Sequence, residues 1–126
     1  MGTVGWTIYF VALGGLLFFM LMRRSGQVSK KEAADFVKHG ALIVDVRSPA
    51  EFAAGHLSQA FNMPVDEVDH LLPNKVKDKE RVILVHCQSG MRSKKAKVSL
   101  EKIGYKNVYD LGSYERAFKI ITGKTL

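Results

Sequence analysis

No Asp, Glu, Lys, Arg or His precedes Arg23, and the 19 basic and 12 acidic side chains all fall from that residue onward. This partition limits the fold more than any other feature of the chain. Val4 to Met22 (VGWTIYFVALGGLLFFMLM) is a continuous uncharged run, close to the ~20 residues needed to cross a ~30 Å hydrocarbon layer. Trp6 and Tyr9 stand near its start, where amphipathic rings suit a membrane interface. A cleaved signal peptide would carry basic residues before the run and a small-residue cleavage site after it. Here Arg23 and Arg24 come directly after it. Trp6 also stands where a myristoylation signal needs Ser or Thr. Gly14-Gly15 could allow close helix packing, though a lone small pair says little about a dimer. The division expected is a transmembrane anchor over 1–22, a linker over 23–27 and a folded domain over 28–126. Because basic flanks stay on the cytoplasmic side, the domain should face the cytoplasm. The competing reading of the run is a buried core helix.

The formal net charge is +7. Its basic residues cluster at Arg23, Arg24, Lys30 and Lys31, and again at Lys94, Lys95 and Lys97 after the single Cys. No helix-turn-helix, zinc-finger or RNP-type aromatic pattern accompanies them, so no nucleic-acid partner is expected. They read as a membrane-flanking cluster and a solvated helix face, with the second group also suited to an anionic substrate. One Cys excludes an internal disulfide framework, and no His/Cys spacing suggests a zinc site. A domain of ~100 residues can fold without either.

Within that domain, Ser29 and Glu32 have the spacing of a capping box, and the apolar residues that follow predict a helix ending near Gly40. Ala41 to Val46 (ALIVDV) and Arg81 to His86 (RVILVH) are nearly continuous apolar runs, as in strands covered on both faces. Shorter strands are expected at Ala60 to Asn62 and Asn107 to Leu111. Helices are expected at Ala50 to Ala54, Val65 to Leu72, Met91 to Lys102 and Ser113 to Ile121, with Pro73 beyond the second of these. Strands alternating with helices predict an α/β fold: an open parallel sheet with helices on both faces. Ligands of such sheets bind beyond the carboxyl ends of the strands, where Cys87 lies.

Buried cysteines usually pack as small hydrophobes. Three neighbours argue otherwise for Cys87. Gly90 permits a tight turn and close backbone approach, a helix starts directly after it and favours an anion, and Arg92 adds a fixed positive charge. Such surroundings favour a thiolate.

The loop CQSGMR, Cys87 to Arg92, resembles the active-site loop of the rhodanese-type sulfurtransferases. A second stretch, LIVDVRSPAEFAAGHLSQAFNMP from Leu42 to Pro64, is similar to that family's upstream signature. The resemblance covers roughly Val28 to Leu111. It implies a rhodanese-like fold, no metal or organic cofactor, and transfer of sulfur from a small anionic donor such as thiosulfate to a thiol or sulfur-carrier acceptor. Cys87 would be the nucleophile and persulfide carrier. The backbone N–H groups of Gln88, Ser89, Gly90, Met91 and Arg92 would hold the terminal sulfur, with Arg92 binding the donor's anionic end or bracing the loop. Asp45 and Arg47 are expected to form an ion pair supporting the loops, and Glu51 to pair with Arg92. His56 reads as a scaffold residue and His39 and His70 as surface residues. His86 could tune the Cys or serve only as a buried strand histidine.

The C-terminal helix departs from the family pattern. Ser113 follows Gly112 where many members have a second Gly, and Ala117 stands at the expected Trp, beside Phe118. Three other functions compete. A dual-specificity-type phosphatase would need five residues between Cys and Arg to surround a phosphoryl group, whereas this loop has four. A non-catalytic membrane adaptor would not require Cys87. A redox relay serving a membrane partner would use the same persulfide.

Overall fold

The computed structural model describes residues 2–24 and 26–126, and the side chains of 19–24 lie outside the described residues. The first helix, α1, spans Thr3–Arg24 and leaves Trp6, Tyr9, Phe10 and Val11 exposed. Among the described residues no helix is long and apolar enough to cross a membrane. The expected transmembrane reading of Val4–Met22 therefore gains no support from the described part of α1, whose side chains end at Phe18.

The domain runs α2 (Lys30–Lys38), β1 (Leu42–Asp45), α3 (Pro49–Ala54), β2 (Ala60–Asn62), α4 (Val68–Lys75), β3 (Ile83–His86), α5 (Met91–Lys102), β4 (Val108–Gly112) and α6 (Tyr114–Thr122). All strand pairs are parallel, in the order β2-β1-β3-β4. Both central strands are buried along their whole length, which is why neither shows a polar alternation in sequence. Their residues still alternate between two cores. Leu42, Val44, Ile83 and Val85 join Leu72, Ala96 and Leu100 on the α4/α5 side. Ile43 and Leu84 join Ala33 and Ala117 on the α2/α6 side. Helices thus cover both faces, as the alternation of elements predicts.

Most boundaries shift by one or two residues from the sequence reading, and three differences have a clear structural cause. The helix expected at Val65 begins at Val68, because the Val65 N–H is bonded to the Val46 carbonyl and a turn from Pro64 to Glu67 intervenes. Pro73 lies inside that helix rather than beyond it. Pro removes a single donor, while the buried Leu72 anchors the turn and its carbonyl accepts from Val76 N–H at 2.8 Å. Gln27, expected in the linker, pairs with Asp110 beside β4, and Val28 N–H donates to the Asp110 carbonyl at 3.0 Å. Folded structure therefore begins one residue before the expected boundary, covering the β4 edge.

Candidate active site

The period of two in β3 decides where the functional side chains point. Cys87, one residue past the strand, follows Ile83 and Val85 to the α4/α5 side and is fully buried. His86 follows Leu84 to the opposite side. Its register partner on β1 is Asp45.

Gly90 turns the chain after Cys87 in the left-handed region, at φ +98°, a conformation that costs other L-residues ~1–2 kcal/mol. The turn brings the Gly90 N–H to 2.9 Å from Cys87 Sγ, to which it donates. α5 starts at the next residue, so the sulfur lies where helix N–H groups and the helix dipole favour negative charge. A second group meets the sulfur. Ser93, fully buried, places Oγ 3.7 Å from Sγ and donates to the Gly90 carbonyl at 3.1 Å. Sequence reasoning missed Ser93, although a hydroxyl in the first turn of a helix can reach back to the loop that precedes it.

The other loop residues are held from outside. Cys87 N–H donates to Gly112 O at 3.1 Å, Tyr114 N–H donates to Gln88 O, and Ser89 bridges to Ser113. Met91 turns its side chain to solvent. Gln27, Ser89, Gly90, Met91 and Lys94 line a cavity of about 260 Å³ beside the loop. Among the described hydrogen bonds, Gly90 N–H is the loop N–H bonded to Sγ.

Arg92 is engaged by Glu51. Its two terminal nitrogens donate to the two carboxylate oxygens at 2.6 and 2.9 Å. This bidentate pair ties α5 to α3, whose start Glu51 also closes through a capping box with Ser48. The Arg92 guanidinium is the main cause holding the Glu51 carboxyl down at about 2, against an ordinary 4.5. A carboxyl depressed in the folded state stabilises fully above its unfolded value, and that stabilisation is lost as pH falls through the folded value. The pair should therefore weaken as pH drops from 4.5 toward 2. Because both side chains are about one-third exposed, the loss should stay at about 1 kcal/mol or less. Thermal melts of the wild type and Glu51→Gln should differ above pH 4.5 and converge in stronger acid; a constant gap would contradict the assignment.

Asp45 and Arg47 form the ion pair expected of them, at 2.7 Å, with both side chains almost wholly buried. Arg47 extends the contact further, donating to Gln88 Oε1 at 3.1 Å and to Gly55 O at 2.7 Å. One guanidinium thus joins the end of β1, the turn after α3 and the sulfur-bearing loop. Its face lies 4.5 Å from the Tyr114 ring. Asn62 secures the same segment by donating to the carbonyls of Asp45 and Arg47.

His86 is buried with Nε2 3.6 Å from Asp45 Oδ2, and its ring stacks on Tyr114. Its Nδ1 meets the Cys87 carbonyl at 3.3 Å, on the face away from the sulfur. Burial is the largest influence on it and pushes its pKa down, opposed by the Asp45 carboxylate. His56 is exposed, stacks on Phe52 and bonds the Phe52 carbonyl. His39 and His70 are also exposed.

Residues 29–117 match the family model of the rhodanese-like domain. The chain belongs to the rhodanese-like domain family. Among its curated relatives, the thiosulfate sulfurtransferase PspE of Escherichia coli (strain K12) is 35% identical over 69 residues, covering 55% of this chain and 66% of that protein. A tRNA uridine(34) hydroxylase of Sodalis glossinidius (strain morsitans) is 38% identical over 73 residues, but the match spans 21% of that protein's length. A solved rhodanese from E. coli, described with anions, superposes with a TM-score of 0.59 at 31% identity, covering 61% of this chain and 91% of its own.

Against this rhodanese-like frame, the altered C-terminal helix is well packed. Ala117 is fully buried against the sheet in the core that Leu84 and Leu111 share, with Phe118 and Ile121 around it. Ser113 caps α6 by accepting from Arg116 N–H. Gly112 keeps a left-handed φ of +86° beside the Gln27 side chain.

Proposed function

We propose that this rhodanese-like domain is a sulfurtransferase in which Cys87 carries sulfane sulfur as a persulfide. The Cys87 thiolate attacks the outer sulfur of a donor such as thiosulfate; the donor's S–S bond breaks and sulfite leaves with its electron pair. A thiophilic acceptor, a thiol or a sulfur-carrier protein, then removes the outer sulfur and regenerates the thiolate. Gly90 N–H and the start of α5 stabilise the negative sulfur, with Gln88, Ser89, Met91 and Arg92 forming the rest of the loop. Asp45, Arg47 and Glu51 support it. The observation that carries this reading is the 2.9 Å bond from Gly90 N–H to Sγ, formed in a loop with four residues between Cys87 and Arg92. That ring suits one sulfur atom better than a phosphoryl group.

The match to PspE supports the same reading, since it spans most of that protein, whereas the match to the tRNA hydroxylase spans a fifth of it. Full-length protein should form thiocyanate from thiosulfate and cyanide and should not hydrolyse an aryl phosphate. The opposite pair of results would favour the phosphatase, and inactivity in both would favour a binding role.

The uncharged run from Val4 to Met22 supports a further part of the proposal: a single-pass membrane anchor with the Cys87 domain on the cytoplasmic side. Lys or Arg near the centre of a membrane helix costs ~3 kcal/mol, so the span would end at Arg23. The full chain should stay with membranes through high-salt and carbonate washes. Protease added to sealed right-side-out vesicles should leave the Cys87 domain intact. Release by carbonate would remove the anchor, and digestion in such vesicles would reverse the orientation.

A further inference from the structure

The cations around the sulfur-bearing loop are not equally engaged. Glu51 takes both terminal nitrogens of Arg92, and Lys95 pairs with Asp66 at 3.4 Å. Lys94 is exposed and, among the described residues, has no carboxylate in ion-pairing range. It lines the cavity of about 260 Å³ beside the loop, together with Gln27, Ser89, Gly90 and Met91. Gln27 lies outside residues 29–117, the stretch that matches the family model. Its backbone is pinned by the pairing with Asp110, and Arg116 Nη2 donates to the carbonyl of the next residue, Val28. Gly112 makes room for its side chain: a Cβ there would meet Gln27 Nε2 at 2.6 Å, closer than the two atoms can approach. A Cβ on Gly90 would point at the same nitrogen from 3.6 Å, while the Gly90 N–H donates to Cys87 Sγ. One turn therefore borders both the sulfur and the cavity.

From this arrangement we infer that the cavity is an acceptor subsite, in which Lys94, Gln27 and Ser89 hold a carboxylate of the thiol that removes sulfur from Cys87. The inference rests on the sulfurtransferase reading above. An ammonium, a carboxamide and a hydroxyl line the cavity, with no acidic residue among them, and all three can donate to an anion. Cys87 is not part of the lining, so a group held there sits beside the reacting sulfur. That position suits a remote part of the acceptor. It does not suit the sulfonate of thiosulfate, which is bonded directly to the transferred atom. In the step served, the acceptor thiolate attacks the outer sulfur of Cys87–S–S⁻. A new S–S bond forms, the bond to Sγ breaks, and its electron pair stays on Cys87. The acceptor leaves as a persulfide anion, so total charge is unchanged and no proton moves. The carboxylate takes no part in that exchange, and its contact lowers the KM for the acceptor far more than it changes kcat.

The test loads the full-length protein with thiosulfate, removes the excess, and follows loss of the added sulfur by mass. Because the protein has one Cys, the signal reports Cys87 alone. Mercaptosuccinate, a thiol dicarboxylate, is compared with neutral 2-mercaptoethanol. A second pair comprises the capped peptides Glu-Cys-Glu and Gln-Cys-Gln. The rate ratio within each pair, taken relative to wild type, cancels the intrinsic reactivity of the thiols. In Lys94→Gln the acidic-to-neutral ratio should fall about fivefold, the upper end for an exposed charge pair. Lys94→Arg should restore it, Gln27→Ala should lower it by a smaller factor, and high salt should level it in the wild type. A fall confined to the peptides assigns the carboxylate to a protein acceptor, and one confined to the small thiols assigns it to a small thiol acid. Either supports the subsite. Unchanged ratios in both pairs for a Lys94→Gln protein that still loads sulfur overturn it and leave the sulfurtransferase reading intact. A wild type that takes up no sulfur removes that reading and the subsite together.

Discussion

Cys87→Ala should eliminate sulfur transfer. The side chain is fully buried in the core cluster that also holds Ala96, Leu100, Ile83 and Val85, so Ala fills the site with a small loss of packing and the fold survives. Removing the nucleophile leaves Gly90 N–H and the positive end of α5 in place with nothing to carry the sulfur. Loss of a covalent nucleophile elsewhere costs on the order of 10⁶ in turnover. Thiocyanate formation by the full-length variant should therefore fall to background while its melting temperature stays within a few degrees. Cys87→Ser should behave likewise, since an alkoxide is a far poorer acceptor of sulfane sulfur than a thiolate. Substantial transfer by folded Cys87→Ala would mean that another group takes the sulfur.

Asp45→Ala should produce the largest loss of stability. The carboxylate accepts from the Arg47 main chain, from Nε and from Nη2, all within 3.0 Å. It also lies 3.6 Å from His86 Nε2. Without it, a guanidinium with almost no access to water loses its countercharge. Breaking one side of a buried pair costs about 3–5 kcal/mol, much of the 5–15 kcal/mol that holds a domain together. At ~4–8 °C per kcal/mol for a domain of this size, thermal melting should fall by roughly 12–40 °C. Because Arg47 also donates to Gln88 and Gly55, the loop around Cys87 should loosen too, and turnover should drop even where the protein remains folded. Asp45→Asn, which keeps an acceptor, should lie between the two. A melting temperature within a few degrees of the wild type would show that the pair contributes little.

The parallel sheet was legible because β1 and β3 are short apolar runs bounded by turn residues, and such runs fit few places other than the centre of a sheet. The start of α5 was legible as well: Gly90 and Arg92 bracket it, and the helix begins at Met91 as expected. Paired charges were readable because Asp45 and Arg47 end a buried strand and a buried Arg left unpaired would be costly. Asp45 with Arg47 and Glu51 with Arg92 are both present, with both terminal nitrogens of Arg92 donating to the Glu51 carboxylate. Elements whose boundaries depend on distant partners were harder to read. Val65 looks helical until its N–H is seen bonded to Val46, and Gln27 looks like linker until its pairing with Asp110 is known. Ser93 was hidden for a similar reason. Its contact with Cys87 depends on how closely the turn at Gly90 brings the sulfur to the first turn of α5, 3.7 Å from Oγ, a distance that the sequence does not record.

The most direct test is to treat the full-length protein with thiosulfate, remove the excess and weigh it by mass spectrometry. The account predicts a gain of one sulfur atom, located on the peptide containing Cys87, lost on adding cyanide and absent in Cys87→Ala. No added sulfur on Cys87 in a protein that nevertheless forms thiocyanate would contradict the persulfide route.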